Sequence, residues 1–303
     1  MKLLVINCHY VTPEIYKRGI YPVTPNYVDS KIKKLLGKGW KPISPNDLKN
    51  IEVLKEKKGE NLFLFTFDDG LKCQYTYAYP VLKSHGIKAI FFIPTIIFGK
   101  ALTVHKIQCI RYKIDDPILL DLLFKKFPEM EAVPTNDNNL KEQYPYDSPQ
   151  AARLKFLLNF VLREDKKEYF IDDIFSQIED IERFFCYTYM DVESIRYLAE
   201  KECVGSHGHN HQPLSRLSSR DLRNDIRNSI YLLKSKAKIK DISMISYPYG
   251  SREAVSINVK CQVKSLNFSY GFTMNRGVNT INNLIEDPYA LKRIQINDLD
   301  NWI

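Results

Sequence analysis

Residues 63–70 read FLFTFDDG, an apolar β-rich run that passes directly into two carboxylates and a glycine. Neighbouring side chains on an extended strand point to opposite faces, so Asp68 and Asp69 can serve one site only where the strand ends. Gly70 allows the chain to turn sharply at that point. A metal ligand beside a general base needs this arrangement, although a plain turn before a helix would also explain an Asp-Asp-Gly run.

Short β-rich runs alternate with helical patterns on both sides of this stretch. Among the helices, the one predicted over 218–236 carries an Asp- and Arg-rich face that we expect to be exposed. The alternation predicts an α/β fold with a largely parallel sheet, open or closed into a barrel. In such folds the chemistry gathers at the C-terminal ends of the strands. The predicted strands are 3–7, 62–67, 89–94, 203–206, 244–247 and 291–296.

One long segment interrupts this alternation. It has helical patterns at 151–162 and 169–184 but no clear strand. The chain has no internal repeat, low-complexity tract or Gly/Ser-rich linker that would mark a domain boundary. We therefore predict a single domain over residues 1–303 with a helical insertion at about 103–185.

A second polar run, residues 204–215 with the sequence VGSHGHNHQPLS, holds three of the six histidines of the protein. Neutral imidazole is a common ligand of zinc and similar metals, and the spacing of His207 and His211 suits a shared ion. The glutamate of an HExxH zinc-protease helix is absent. With one carboxylate of the Asp-Asp pair, the two histidines would leave an open metal position, as catalytic sites do. The alternative is a solvated histidine-rich loop.

These two runs together resemble the motifs of the polysaccharide deacetylase family. The family motif TFDDG is matched by Thr66–Gly70, and its His-x-x-x-His motif by His207–His211, followed by Leu214 and Ser215. The resemblance implies that Asp68 is the general base and that Asp69, His207 and His211 bind a divalent metal. It also implies a distorted (β/α) barrel with about seven parallel strands.

The third family motif, an Arg-x-Pro-Tyr run, is only partly matched, because residues 246–249 read SYPY. The resemblance gives the backbone N–H of Tyr249 the role of stabilising the oxyanion of the reaction. The arginine that orients the base is missing at Ser246. Arg293 is our first choice for a substitute and Arg252 the second, and an ordinary surface arginine is the alternative for each.

The family's late histidine, which acts as general acid, is also absent, since no histidine follows His211. Residues 7–10 read NCHY and resemble the Tyr-His pair that opens a branch of the family with rearranged motifs. In that branch the N-terminal histidine is the acid, a role that falls here on His9. The alternative is a packed histidine that only supports the site.

The charge, the apolar stretches and the cysteines of the sequence limit which binding partners and which cellular location we expect. The formal charge of +8 comes from Lys and Arg interleaved with Asp and Glu, which does not favour nucleic-acid binding but leaves a phosphate-linked substrate open. No apolar stretch is long enough for a transmembrane helix, and the N-terminus does not resemble a secretory signal. Six dispersed cysteines without a CxxC pair are expected to be free thiols. We predict a cytoplasmic protein, and no protein partner is evident.

The motifs and the resemblance predict an enzyme that removes an N-acetyl group from an amino sugar, in a cytoplasmic precursor of a surface polysaccharide. The expected metal is zinc, with cobalt, nickel and iron as alternatives, because one carboxylate and two imidazoles suit all four. An O-acetyl esterase or another amide hydrolase would use the same site. A catalytically silent sugar-binding protein is the third interpretation.

Overall fold

The computed structural model describes residues 1–14, 20–135, 139–141, 144 and 147–303. The structure contains all six predicted strands and adds three that the sequence did not suggest, of which β7 matters most for the site. The strands are β1 (Lys2–Cys8), β2 (Lys41–Pro42), β3 (Asn61–Phe67), β4 (Ala89–Ile93), β5 (Val204–Ser206), β6 (Met244–Ser246), β7 (Tyr270–Phe272), β8 (Asn279–Thr280) and β9 (Ile294–Gln295).

Helices connect these strands. Several begin at a side-chain cap, such as Thr24, Ser148 and Ser218, which accepts a hydrogen bond from a backbone N–H of the first turn. The described α-helices are α1 (Pro25–Gly37), α2 (Pro45–Lys49), α3 (Ile51–Glu56), α4 (Tyr79–Ser84), α5 (Thr103–Lys113), α6 (Asp116–Lys126), α7 (Pro149–Phe156), α8 (Glu164–Ile178), α9 (Ile181–Thr188), α10 (Val192–Glu200), α11 (Ser219–Ala237), α12 (Ile257–Ser265) and α13 (Ile281–Glu286).

The parallel strands close into a distorted barrel. Strands β1, β3, β4, β5, β6 and β7 pair in parallel in the order β1-β3-β4-β5-β6-β7. The chain then returns between the two ends of this row, because Leu291 bridges to Phe272 and β9 pairs in parallel with β1. The seven-membered ring predicted from the family resemblance is therefore confirmed, and β7 is the member that the sequence pattern missed.

The barrel interior is filled by apolar side chains from six of the seven ring segments. Strand β5 contributes Gly205 instead, and the ring of Phe92 occupies the space beside it, since a Cβ atom there would lie 2.5 Å from Phe92 Cε1. Strands buried on both faces read as continuous apolar runs, which explains residues 3–6 and 62–65. The apolar runs stop at one edge of the barrel, where the polar residues that follow the strands are brought together.

By their contacts, the described residues fall into two compact units. The first comprises residues 1–14, Pro22–Lys100 and Phe185–Ile303 and contains the barrel. The second comprises residues 20–21 and the described part of Ala101–Phe184, with a core built mainly from α5, α6, α7 and α8. That the second unit is a helical insertion into a single catalytic domain stays a prediction.

Two further sequence expectations can be compared with the structure. Helix α11 lies where a helix was predicted. The prediction that its Asp and Arg residues are exposed is wrong for Asp225, which is buried, whereas Asp221 is exposed. All six cysteines are free thiols. Within the described ranges, no helix combines the length and the apolar character required to cross a membrane.

Candidate active site

The turn after β3 presents both carboxylates to one site. β3 ends at Phe67, and Asp69 then adopts a positive φ of 81°, followed by Gly70 at 64°. A side chain at Gly70 would also clash, because a Cβ atom would lie 2.7 Å from Ile97 Cδ1. The left-handed turn breaks the alternation of a strand, so Asp68 and Asp69 are both buried at the same end of the barrel.

Asp69 lies against the two histidines of the second motif. Its Oδ1 is 3.4 Å from His207 Nε2 and 3.2 Å from His211 Nε2. One ligand atom from each of the three side chains lies within 4.8 Å of the others. Asp69 and His207 are buried and His211 is partly buried. The structure thus brings together the three side chains that the sequence nominated as metal ligands.

The donor set fits a divalent metal. His207 Nδ1 is 2.7 Å from the backbone carbonyl oxygen of Ser246, which can only accept a hydrogen bond, so Nδ1 carries the proton. The lone pair of Nε2, on the side of Asp69, is then available to a metal ion. Two imidazole nitrogens and one carboxylate oxygen, from the segments that follow β3 and β5, form an open three-ligand set of the kind found in catalytic sites. The histidine run follows β5 and Asp69 follows β3, while Ser246, which supports His207, ends β6, the neighbour of β5.

The second carboxylate, Asp68, pairs with Arg293. Arg293 Nη1 donates to Asp68 Oδ1 at 2.9 Å and Nη2 donates to Oδ2 at 2.8 Å, a bidentate arrangement in which both side chains are buried. The structure therefore places Arg293, named from the sequence as the substitute for the missing motif arginine, directly on the proposed base. Arg252, the second choice, is exposed.

Every N–H of the Arg293 guanidinium has an acceptor, although the side chain is 0% exposed. Nε donates to the backbone carbonyl of Thr273, Nη1 also donates to Asn7 Oδ1, and Nη2 also donates to Ser246 Oγ. These partners come from three different ring segments. A guanidinium with all its donors engaged is held in one orientation, and it fixes Asp68 in turn.

Ser246 occupies the position where the family motif has arginine, and it contributes three contacts. Its carbonyl accepts from His207, and its hydroxyl donates to Asp68 Oδ2 at 3.2 Å while accepting from Arg293. A larger residue at this position would overlap the guanidinium, because Arg293 Nη2 lies 2.9 Å from Ser246 Oγ. Arg293 thus makes the contact with Asp68 that the arginine of the family motif would make from position 246.

The pKa of Asp68 is set by two opposing effects. Burial by itself raises the pKa of this carboxyl, but the charges of Arg293 and His207 and the hydrogen bonds from Arg293 outweigh burial and hold the pKa below its usual value. Asp68 is therefore ionised at neutral pH and able to accept a proton.

His9 lies at the edge of this site. Its Nε2 is 4.0 Å from Asp69 Oδ2, and its side chain is partly exposed. The fully buried Gln74 links the two segments, because its Nε2 donates to the backbone carbonyls of both His9 and Asp68, at 3.0 and 2.6 Å. Gln74 begins a single π-helical turn, Gln74–Ala78, a feature often found at functional sites.

Tyr249 lies beside the histidines. Its ring centroid is 5.4 Å from that of His211, and its backbone has a positive φ of 64°, a conformation that costs a non-glycine residue about 1–3 kcal/mol. The next residue, Gly250, is also in the left-handed region, and its carbonyl accepts from the N–H of Met274. The chain is thus bent sharply next to the cluster.

The sequence reasoning missed Asn7 and Gln74 and treated Ser246 only as a missing arginine. A polar residue that follows the continuous apolar run of β1 was the available signal for Asn7. Nothing in the local pattern signals Gln74 or Ser246, because their partners lie on segments that are distant in the chain.

Comparison with known proteins gives matches that include the two motifs of the site. A family model described as polysaccharide deacetylase matches residues 55–103 and 183–270, which include the Asp-Asp-Gly turn and the histidine run. Over 65 residues the chain is 35% identical to the Bacillus subtilis (strain 168) protein YxkH, described provisionally as a polysaccharide deacetylase. That match covers 22% of this chain and only 23% of the length of YxkH.

Solved structures share the fold over the full length. A de-N-acetylase from Aggregatibacter actinomycetemcomitans matches with a TM-score of 0.61 at 13% identity, covering 100% of both chains. The deacetylase PplD from Streptococcus pyogenes, solved with acetate, matches with a TM-score of 0.59 at 16% identity, covering 99% of this chain and 97% of that one. At these identities the similarity shows the fold alone.

Proposed function

This chain belongs to the polysaccharide deacetylase family, and from that premise we propose that it hydrolyses the N-acetyl group of an amino sugar at a divalent metal site. The observation that carries the proposal is the pairing of Asp68 with Arg293 next to the Asp69–His207–His211 cluster. A protein that only bound sugar would have no need for an ionised, oriented carboxylate beside three metal-ligating side chains. This contrast favours an enzyme over a silent binding protein.

The three clustered side chains would hold the metal, and we propose zinc, with cobalt, nickel or iron as substitutes that the same ligands accept. When bound, the metal supplies Lewis acidity, which polarises a carbonyl and lowers the pKa of water. Arg293 and Ser246 hold Asp68 so that its carboxylate takes the proton of the attacking water.

The other residues act on the acetyl group and the leaving amine. The backbone N–H of Tyr249 would donate to the carbonyl oxygen as negative charge develops there. His9 would donate a proton to the sugar nitrogen as the C–N bond breaks. The products are acetate and a free amine, and acetate is the molecule named with the solved S. pyogenes deacetylase. A phosphate-linked, cytoplasmic sugar precursor as substrate stays a prediction from the sequence.

The proposed activity is tested by measuring acetate release from matched N-acetylated and O-acetylated sugars. We expect release from an N-acetylglucosamine oligomer or an N-acetylamino sugar nucleotide, abolished by a chelator and restored by zinc or cobalt. Faster release from the O-acetyl sugar would favour the esterase alternative. Binding of either sugar without any acetate release under all metals would favour the silent binding protein.

Metal analysis tests the ligand set. Asp69→Ala and His207→Ala proteins are expected to bind less than a tenth of the wild-type metal, because each change removes one of three ligands. Full occupancy of either variant would show that the ligand set is wrong. His85→Ala is the control, since His85 caps the C-terminal end of α4 and pairs with Asp29, outside the three-ligand cluster.

The same experiment has an expected pH dependence. Burial by itself lowers the pKa of His207, but the carboxylates of Asp68 and Asp69 outweigh burial and raise the pKa above its usual value. A proton and a metal compete for this imidazole, so metal affinity should rise with pH through the range in which His207 loses its proton.

His9→Ala is expected to lower the turnover of an N-acetyl sugar by about 10²- to 10⁴-fold, the usual contribution of a general acid. Hydrolysis of nitrophenyl acetate should change much less, because a nitrophenolate leaves without being protonated. Equal losses on the two substrates would show that His9 supports the site without acting as the acid. An unchanged turnover and pH profile on the sugar would remove His9 from the mechanism.

A further inference from the structure

The loop between the two metal-ligating histidines is held from behind by buried side chains. Three consecutive backbone N–H groups have side-chain acceptors: Gly208 donates to Ser206 Oγ at 3.1 Å, His209 to Asp225 Oδ1 at 2.8 Å and Asn210 to Asp225 Oδ2 at 2.9 Å. One carboxylate thus receives two successive N–H groups, one on each oxygen. Consecutive N–H groups directed at one anion form a concave binding site in the backbone.

Asp225 is an unusual residue for this position. It projects from α11, is 3% exposed, and within the described part of the chain forms no ion pair with a cationic side chain. Burying a carboxylate without a cation is costly unless hydrogen bonds replace its hydration. Its two charge-assisted bonds to the loop are therefore what stabilises it, and they bind the loop equally strongly in return.

The serines behind the loop extend this support. Ser206 ends β5, and its hydroxyl lies 2.7 Å from the hydroxyl of Ser229, which is one turn beyond Asp225 on α11. On the opposite side, the N–H groups of Thr95 and Ile96 donate to the carbonyls of Gly208 and His209, both at 3.1 Å. The loop is held on both sides by elements of the barrel unit.

This support is needed because the loop has an unfavourable backbone conformation. His211 has a positive φ of 54°, and Gly208 has one of 71°. A side chain at Gly208 could not be accommodated, since its Cβ atom would lie 2.9 Å from Asp225 Oδ1. A non-glycine residue in the left-handed region costs about 1–3 kcal/mol and persists only where its surroundings impose it. The left-handed turn is what directs His211 back toward Asp69.

We propose that Asp225, supported by the Ser206–Ser229 pair, is a positioning residue that holds the 208–210 loop in the form that presents His211 to the metal. It sets metal affinity without being a ligand. The proposal depends on the proposed function only in assuming the metal site. It adds a residue that sets metal affinity and that lies on a helix outside both sequence motifs.

The test is the affinity of the metal-free protein for Zn²⁺ and Co²⁺, measured by competition with a chromophoric chelator. Asp225→Asn places an NH₂ group against a backbone N–H and should weaken binding by about 10- to 100-fold, as loss of a group that orients a ligand does. The Co²⁺ absorption spectrum at saturation should match that of the wild type, because the ligands are unchanged. Asp221→Asn, which removes the same charge from an exposed position on the same helix, should bind like the wild type.

A milder variant keeps the proposal testable if Asp225→Asn does not fold. Ser229→Ala should weaken binding by about fivefold, the effect of one hydrogen bond. Hydrogen exchange in the metal-free protein should show faster exchange of the His209 and Asn210 amides in the Asp225 variant alone. Wild-type affinity in Asp225→Asn would overturn the proposal, and if that variant does not fold, wild-type affinity in Ser229→Ala would do so.

The outcomes separate this proposal from the proposed function. If His211→Ala binds Zn²⁺ as tightly as the wild type, the metal site itself is wrong and the positioning proposal fails with it. If His211→Ala loses the metal but Asp225→Asn matches Asp221→Asn, the metal site stands and only the positioning role of Asp225 is rejected.

Discussion

Asp68→Asn is expected to lower kcat for N-acetyl sugar hydrolysis by about 10²- to 10⁴-fold, the usual contribution of a general base. The amide cannot accept the proton of the attacking water, whereas Arg293 keeps Asp68 ionised in spite of its burial. Metal content should stay at the wild-type level, since Asp68 is outside the three-ligand cluster. Turnover and bound metal measured on the same preparation check both parts.

Asp121→Asn, on an exposed position of α6, is the control for this change. Because Asp68→Asn also leaves Arg293 without its charged partner, turnover should be measured below the melting temperature of the variant. A folded, metal-loaded Asp68→Asn protein with near wild-type kcat would rule out Asp68 as the base.

The largest effect on stability is expected for Arg293→Met. This change leaves the buried Asp68 carboxylate without its cation, and breaking a buried pair by removing one partner costs about 3–5 kcal/mol. The free energy of unfolding from denaturant titration of metal-free protein gives the measurement. Arg252→Met, which removes an exposed arginine, should change it by about 0.5 kcal/mol or less.

A double variant separates the charge effect from lost packing. Asp68→Asn/Arg293→Met removes both charges, so it should be more stable than Arg293→Met alone. If the double variant were less stable than either single variant, packing and the neutral hydrogen bonds of Arg293 would account for the loss instead of the unpaired carboxylate.

The pH dependence of Arg293→Met has a definite sign. In the wild type the pKa of Asp68 is lowered, so the pair stabilises the fold above the ordinary aspartate value of about 3.9. That stabilisation is lost as the pH falls through the lowered pKa. In Arg293→Met the effect of burial remains without that of the arginine, so the pKa of Asp68 rises. The acidic limb of kcat/KM against pH should therefore move to higher pH.

The sequence by itself determined the parts of the site whose members are close in the chain. Asp68 and Asp69 end an apolar strand, and His207 and His211 are four residues apart, so each motif carries its own geometric requirement. The alternation of strands and helices likewise determined a parallel α/β fold, because side-chain periodicity is a local property. β7 was missed because Tyr270–Phe272 is too short to show a period.

Only the tertiary structure decided how these motifs are supported. Arg293 reaches Asp68 across 225 positions of sequence because the segment after Leu291 closes the ring between β7 and β1. Ser246 and Asp225 likewise act through partners on other elements. These polar side chains are buried, and a buried polar or charged group is stable only where a hydrogen bond or an opposite charge replaces its hydration. The partner therefore fixes the orientation of each side chain. The chain order alone does not record which partner that is.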